Sequence, residues 1–233
     1  MTFDPIVYFG ILLLAIAVTL LTSAAFASFS GRLGFRFLLG GICMGVIASV
    51  CAATGLLANF DRSPPPFGIA VLLFFLGPIW LGRSRYGKDV ADAIPIQILV
   101  LIQAFRLPLE LVMHEAANVG LMPEQLSFSG WNFDIMTGAS ALVLGVALMF
   151  HPGLNRRFIW LWNIWGSLCL LVIAGIAIFS SPVFLAFGDE PENINTWVLY
   201  FPYVLLPALL VTNAIFTHVV IFRKLRAADK VWA

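Results

Sequence analysis

Long apolar runs alternate with short polar stretches along the chain. A helix needs about 20 apolar residues to cross a bilayer, and seven runs qualify by that measure. Their ranges are 5–29, 36–59, 67–82, 93–116, 134–150, 158–181 and 197–222. The pattern predicts an all-α polytopic membrane protein, a bundle of seven transmembrane helices that forms a single domain over residues 1–233.

The stretches between these runs have the composition of turns. Four of them are "DRSPPP" at 61–66, "RSRYGKD" at 83–89, "HPGLNRR" at 151–157 and "GDEPEN" at 188–193. Pro202 and Pro207 fall inside the last predicted span. Because a proline removes a helical hydrogen bond and clashes with the preceding turn, we expect that helix to be kinked.

Basic residues are distributed unevenly about these seven spans. Eleven of the 13 Lys and Arg residues fall on one side, whereas Arg62 falls on the other and Arg106 lies inside a span. The eleven are Arg32, Arg36, Arg83, Arg85, Lys88, Arg156, Arg157, Arg223, Lys224, Arg226 and Lys230. Since loops rich in Lys and Arg stay in the cytoplasm, the N-terminus is predicted outside and the C-terminus in the cytoplasm.

Composition agrees with a protein embedded in a lipid bilayer. Hydrophobic residues make up 61% of the chain, charged residues 11%, and the mean hydropathy is +0.98. A soluble domain carries about 25% charged residues. The net charge of +1 gives no sign of a nucleic-acid partner.

Span four contains polar residues that its apolar surroundings do not explain. Gln103, Arg106, Glu110 and His114 are spaced by three, four and four residues, which places them on one face of a helix. A charge at the centre of a membrane helix costs about 2.5–3.5 kcal/mol even on lenient scales. This stripe is therefore expected to face the interior of the bundle, where Arg106 and Glu110 can pair.

Pro108 lies within this stripe and removes one helical hydrogen bond, so we expect a kink that widens the stripe toward the outside. Counted from Asp92, Arg106 is 14 residues along span four, or roughly 21 Å, which is outward of the midplane. Asn132 and Asp134, at the outer start of span five, reach a similar level. We expect a polar pocket, open to the outside, that is lined by Gln103, Arg106, Glu110, His114, Asn132 and Asp134.

Two structural interpretations compete with a ligand site. The same charges can serve only as a network that fixes helix register, and Asp134 also suits the first turn of a helix. A metal site formed by Glu110, His114 and Asp134 is a weaker alternative, and we predict no bound metal. The sequence does not indicate a cofactor. His151 and His218 are predicted at other depths, where we interpret both as structural residues.

Some functions are disfavoured by the residues that the sequence lacks. Its three lysines, Lys88, Lys224 and Lys230, are all predicted to be cytoplasmic, so no intramembrane amine can form a retinal Schiff base. No Walker loop, GxGxxG, HExxH or GxSxG motif occurs.

The stretch "FRLPLE", followed by "MPEQLSFSGWNFDIMTG", carries a resemblance. Residues 105–138 resemble those of small, uncharacterised bacterial multi-pass membrane proteins. That resemblance implies a bacterial inner-membrane setting and no particular activity.

Three functions are consistent with these features. The first is binding of a small polar or amphiphilic ligand, for sensing or transport, with Arg106 as anchor and Glu110 and Asp134 as counter-charges or proton-exchanging groups. The second is an intramembrane enzyme, with Glu110, His114 and Asp134 as metal ligands or acid–base groups. The third is a structural subunit of a homo-oligomer or membrane complex.

Overall fold

The computed structural model describes residues 3–151 and 153–229, so Lys230 of the predicted basic side lies outside the described residues. Within these ranges the chain is helical and contains no strand. The nine α-helices of this part are α1 (Pro5–Ala27), α2 (Gly31–Ala53), α3 (Pro66–Arg83), α4 (Arg85–Ala93), α5 (Ile96–Ile102), α6 (Arg106–Asn118), α7 (Asp134–Phe150), α8 (Arg156–Phe179) and α9 (Thr212–Asp229).

Six helical segments of the described chain are long and apolar enough to cross a membrane. They are α1, α2, α3, the continuous segment Ile96–Asn118 that contains α5 and α6, α8, and the segment Leu206–Ala227 that ends in α9. The remaining predicted span, the fifth along the chain, is α7, which is apolar and has the predicted bounds but only 17 residues. The all-α prediction is therefore confirmed, together with six of its candidate spans.

Helix α2 begins and ends earlier than its predicted range of 36–59. It starts at Gly31 and stops at Ala53, where Gly55 takes a left-handed conformation with φ of 70°. Arg32 and Arg36 consequently lie in the first turns of the helix, and not in the loop before it. Glycine suits this stop because it has no Cβ to oppose a positive φ.

A short helix that the sequence did not predict follows α3. The stretch "RSRYGKD" has the composition of a turn, yet Arg85–Ala93 is helical and strongly amphipathic. Its start is capped by the Ser84 hydroxyl, and Val90 and Ala91 are buried on its inner face. The polar face hides this helix from a search for apolar runs.

The predicted fourth span is interrupted where its polar stripe begins. Gln103–Phe105 form a turn of 3₁₀-helix between α5 and α6, five to three residues before Pro108. Because proline cannot donate to the carbonyl four residues earlier, tightening of the preceding turn is the expected response. Helix α6 itself runs through Pro108, so the change of helix type precedes the proline, and the kink at Pro108 stays a prediction.

The last helix begins later than predicted. Residues Trp197–Leu199 form a 3₁₀ turn, Pro202 lies in the turns that follow, and Leu206–Val211 form a π-helical stretch that contains Pro207. The predicted start at residue 197 was thus wrong. Apolar residues in turns have the same hydropathy as apolar residues in a helix, so the sequence pattern could not separate them.

Two large apolar clusters form the core, and buried polar residues lie between them. One cluster includes Val18 of α1, Leu109 of α6 and Leu210 just before α9. The other includes Phe26 of α1, Val100 of α5 and Val220 of α9. The buried polar residues fall between the two sets along these helices. They include Thr22, Gln103, Arg106, Asn213 and Thr217.

Small residues on α7 allow this helix to pack closely against α5 and α6. A Cβ at Gly138 would overlap the backbone of Arg106 and Leu107, and a Cβ at Gly145 would overlap the side chain of Leu101. Helix α7 therefore packs directly on the backbone that carries the polar stripe.

Candidate functional site

Arg106 is the centre of the buried polar layer, with only 1% of its surface exposed. Its Nε donates to Asp134 Oδ2 at 2.7 Å, and its Nη2 contacts Asp134 Oδ1. Nη2 also donates to the carbonyl of Gly166 at 3.3 Å. The two-point contact is the geometry that fits a guanidinium to a carboxylate, so α6, α7 and α8 meet at one charge.

The two acids predicted as counter-charges of Arg106 have different partners in the structure. Asp134 forms the salt bridge, whereas Glu110 Oε2 accepts from Asn132 Nδ2 at 2.8 Å. Glu110 is 1% exposed, and no described cation forms a salt bridge with it. Arg106 and Glu110 share a helix face, but Asp134 contacts the guanidinium side-on, through Nε and Nη2, from the facing helix α7.

Asn132 holds the two carboxylates in place. Its Nδ2 donates to Glu110 and to the carbonyl of Leu126 at 3.0 Å, and its Oδ1 accepts from the Asp134 backbone N–H at 3.0 Å. Asp134 is the first residue of α7. The interpretation of Asp134 as a first-turn acid and its role as a counter-charge therefore both apply.

His218 belongs to the same network, and the sequence analysis missed it. Arg106 Nη1 lies 3.1 Å from His218 Nε2, and His218 Nδ1 lies 2.7 Å from Asn163 Oδ1. Because a guanidinium can only donate, Nε2 accepts and Nδ1 carries the proton that is donated to Asn163. Asn163 Nδ2 also donates to the His218 carbonyl at 3.1 Å, so two hydrogen bonds join α8 and α9 here.

The late start of the last helix explains this error. Arg106 is 12 residues from Asn118, and His218 is 12 residues from Leu206. At 1.5 Å per residue, Arg106 lies roughly 18 Å from the Asn118 end of its segment, and His218 lies roughly 18 Å from the Leu206 end of its own. For a helix that starts at residue 197, the distance of His218 from that start becomes roughly 32 Å, which separates His218 from the level of Arg106.

A glycine of α8 makes room for this histidine. A Cβ at Gly166 would lie 2.7 Å from His218 Cε1 and 2.8 Å from Thr137 Cγ2. The absence of a side chain therefore lets α8 approach α7 and α9 closely enough to place its carbonyl on Arg106.

Gln103 and His114 mark the two ends of the predicted stripe. Gln103 is fully buried, and its Nε2 donates to the Ala214 carbonyl at 3.0 Å. His114 is half-buried, pairs through Nδ1 with Ser127 Oγ at 3.0 Å and stacks on Phe128. His114 thus contacts the loop between α6 and α7, and its observed partners are not the Arg106 network.

Together, Gln103, Arg106, Glu110, Asn132, Asp134, Asn163 and His218 are called the polar cluster below. Five of the six predicted site residues belong to it, and all five are buried. Across residues 3–151 and 153–229, no three His, Cys, Asp or Glu side chains are arranged to hold a metal ion. Glu110, His114 and Asp134 have separate partners in this part of the chain.

A groove lies beside the polar cluster, between α3 and α8. Its volume is about 660 Å³, α9 forms its floor, and His218 and Ser167 line it at the level of the cluster. Arg83, Arg223 and Arg226 line its other end. This α3–α8 groove is therefore apolar along its walls and basic at one end.

These observations define a helical protein with apolar helices suited to a membrane and a charged network in its interior. The family described as a domain of unknown function (DUF8737) matches residues 66–226, and the chain belongs to this family. The matched range runs from α3 into α9 and includes every residue of the polar cluster. No match was found among curated proteins or among solved structures.

Proposed function

We propose that this chain is a seven-helix integral protein of the bacterial inner membrane whose polar cluster binds a small polar or amphiphilic ligand, in sensing or in transport. The N-terminus lies outside and the C-terminus in the cytoplasm. The uneven distribution of Lys and Arg supports this orientation. Helix α7 completes the seven spans, because 17 residues extend roughly 26 Å and fall at the short end of the range for spanning helices.

Glu110 is the observation that carries the ligand proposal. A device that fixes helix register needs one ion pair, and Arg106 with Asp134 supplies it. Glu110 is a second acid at 1% exposure, and its side-chain partner is a neutral amide. A buried ionisable group without a counter-charge is costly in a membrane and is by default a functional one.

The loop between α6 and α7 gives this acid a means to respond to a ligand. Asn132 and Leu126 belong to that loop, and Asn132 is the contact of Glu110. A ligand with an ammonium, amide or hydroxyl donor can replace Asn132 at Glu110. That exchange would release the loop that covers the outer end of the cluster.

A structural role is the second candidate, and the hydrogen bonds of Arg106 favour it. All three guanidinium nitrogens have partners within the bundle: Asp134, His218 and the Gly166 carbonyl. Such a saturated group can hold four helices in register with no ligand.

Ligand screening of the purified full chain separates these candidates. Thermal unfolding in nanodiscs is measured with a panel of small amines, amides, sugars and carboxylates. A stabilising compound is expected to lose its effect in Glu110→Gln, which still accepts from Asn132, and to keep it in Glu115→Gln, a half-buried acid on the same helix. Stabilisation that persists unchanged in Glu110→Gln, or a panel without any stabilising compound, contradicts the ligand proposal and favours the structural role.

A further inference from the structure

The α3–α8 groove has the chemistry of a site for an anionic amphiphile. Its walls include Phe75, Ile79 and Leu171. Arg83, Arg223 and Arg226 lie together at one end of the groove, where α3 and α9 both end. Leu171 is 65% exposed, so the groove opens sideways from the bundle. In a bilayer, that opening faces the acyl chains of lipids.

Arg223 forms the structural part of the basic end. Its Nη1 donates to the carbonyls of Gly82, Arg83 and Ser84, at 3.1, 2.8 and 2.8 Å. These carbonyls terminate α3, where a cation offsets the negative end of the helix dipole. Arg223 therefore ties α9 to α3 and fixes the width of the groove at this end.

Arg83 and Arg226 carry charges that are not used in salt bridges within the described chain. Both side chains are exposed, and neither forms a salt bridge with a carboxylate whose side chain the structure describes. Arg226 also lies 6.0 Å from the centre of the Trp160 ring, an arrangement that favours a fixed position for the guanidinium. Two guanidinium groups at the end of an apolar groove are complementary to a phosphate attached to an acyl chain.

We propose that the α3–α8 groove binds one anionic phospholipid, with the phosphate at Arg83 and Arg226 and one acyl chain against Phe75, Ile79 and Leu171. Its volume of about 660 Å³ falls within the usual 300–1,000 Å³ of small-molecule sites. The second acyl chain remains in the bilayer through the lateral opening. This site is separate from Glu110 and does not depend on the ligand proposed for the polar cluster.

Lipid binding by the purified full chain tests this site. Native mass spectrometry is used to titrate phosphatidylglycerol and phosphatidylcholine with identical acyl chains. The wild-type protein is expected to bind one phosphatidylglycerol more tightly than further copies, and more tightly than phosphatidylcholine. At about 1 kcal/mol for each basic residue, Arg83→Gln with Arg226→Gln should weaken that binding on the order of 30-fold.

A matched double variant distinguishes the groove from a merely basic surface. Arg156 and Arg157 are exposed, begin α8, and do not line the groove. Arg156→Gln with Arg157→Gln removes the same charge and should leave the tight binding within about twofold of the wild type, since rim charges that touch no ligand contribute little. Equal loss in the two double variants overturns the proposal, as does equal binding of the two lipids.

A steric pair serves where the loss of two arginines prevents folding. Leu171→Trp fills the groove from an exposed position, and Leu168→Trp places the same side chain on an exposed position of α8 that does not line the groove. The proposal requires loss of the tight phosphatidylglycerol in Leu171→Trp alone. Retention of that lipid in Leu171→Trp overturns it.

Discussion

Arg106 and Asp134 depend on each other, because each would be a buried, uncompensated charge without its partner. Removing one member of a buried pair costs about 3–5 kcal/mol, whereas replacing both by apolar residues is often neutral. The same reasoning gives little weight to Lys88 and Asp92, whose side chains are 59% and 56% exposed. The two salt bridges of the described chain therefore provide a comparison within one protein.

Unfolding of full-length variants in detergent measures that difference. Asp134→Ala is expected to lower the free energy of unfolding by about 3–5 kcal/mol, and Asp92→Ala by no more than about 1 kcal/mol. Arg106→Leu with Asp134→Leu should cost clearly less than the sum of the two single changes. Additive losses would show that the pair is not coupled and would contradict the observed two-point contact.

Much of the polar cluster follows from residue spacing alone. The intervals between Gln103, Arg106 and Glu110 put all three on the buried face, and Asp134, the first residue of α7, lies at the same level. The choice of Asp134 over Glu110 as counter-charge could not be predicted, since it depends on the direction of approach. His218 could not be placed either, because its depth depends on where the last helix begins.

At the scale of elements, glycines allow α7, α8 and α9 to pack closely around Arg106. Gly138 admits the backbone of α6 against α7, and Gly166 admits His218 of α9 against α8. Small residues let helix backbones approach closely, and polar groups of neighbouring helices then come within hydrogen-bonding distance. The glycines are thus part of the cluster, although they contribute no side-chain chemistry.

Gly166→Ala tests this close approach. The added Cβ would lie 2.7 Å from His218 Cε1, so α8 must move away or His218 must leave Arg106, and we expect a loss of about 1–3 kcal/mol in the free energy of unfolding. Gly175→Ala in the same helix is the control, because its Cβ would meet nothing within 4 Å. That change should be neutral or stabilising, by up to about 1 kcal/mol. Equal effects at both glycines would contradict the packing described for α8.

Hydropathy predicts an element well where an apolar run and a helix coincide. Helix α7 has its predicted bounds, and α3 differs from its predicted range by one residue at each end. The pattern fails at Arg85–Ala93, where a helix has one polar face, and at Trp197–Val204, where apolar residues form turns. The amphipathic period of Arg85–Ala93 is present in the sequence, and a search for apolar runs overlooks it. The turns at 197–204 have no such pattern, so hydropathy could not distinguish them from helix.

Across the whole molecule, the topology that we propose puts the polar layer near the middle of the bilayer. It separates the two apolar clusters, and Arg106 is 10 residues past the start of α5, which is roughly 15 Å and half the thickness of a hydrocarbon core. This is nearer the midplane than the sequence analysis placed it, because α5 begins at Ile96 and not at Asp92. A central charge is the most costly kind, so burial of the whole network inside the bundle is a condition for insertion.

Whether α7 crosses the membrane decides the overall topology, and labelling from outside the cell can establish it. Single cysteines are introduced at Glu124 and Gly153, which are exposed before and after α7, in a chain whose Cys43, Cys51 and Cys169 are replaced by Ala. With seven spans, a membrane-impermeant maleimide should label Glu124→Cys in intact cells and Gly153→Cys only after lysis. We expect this result because seven spans put eleven basic residues on one side, and loops rich in Lys and Arg stay in the cytoplasm. Labelling of both positions from the same side would mean that α7 does not cross, and the distribution of charge would then need another cause.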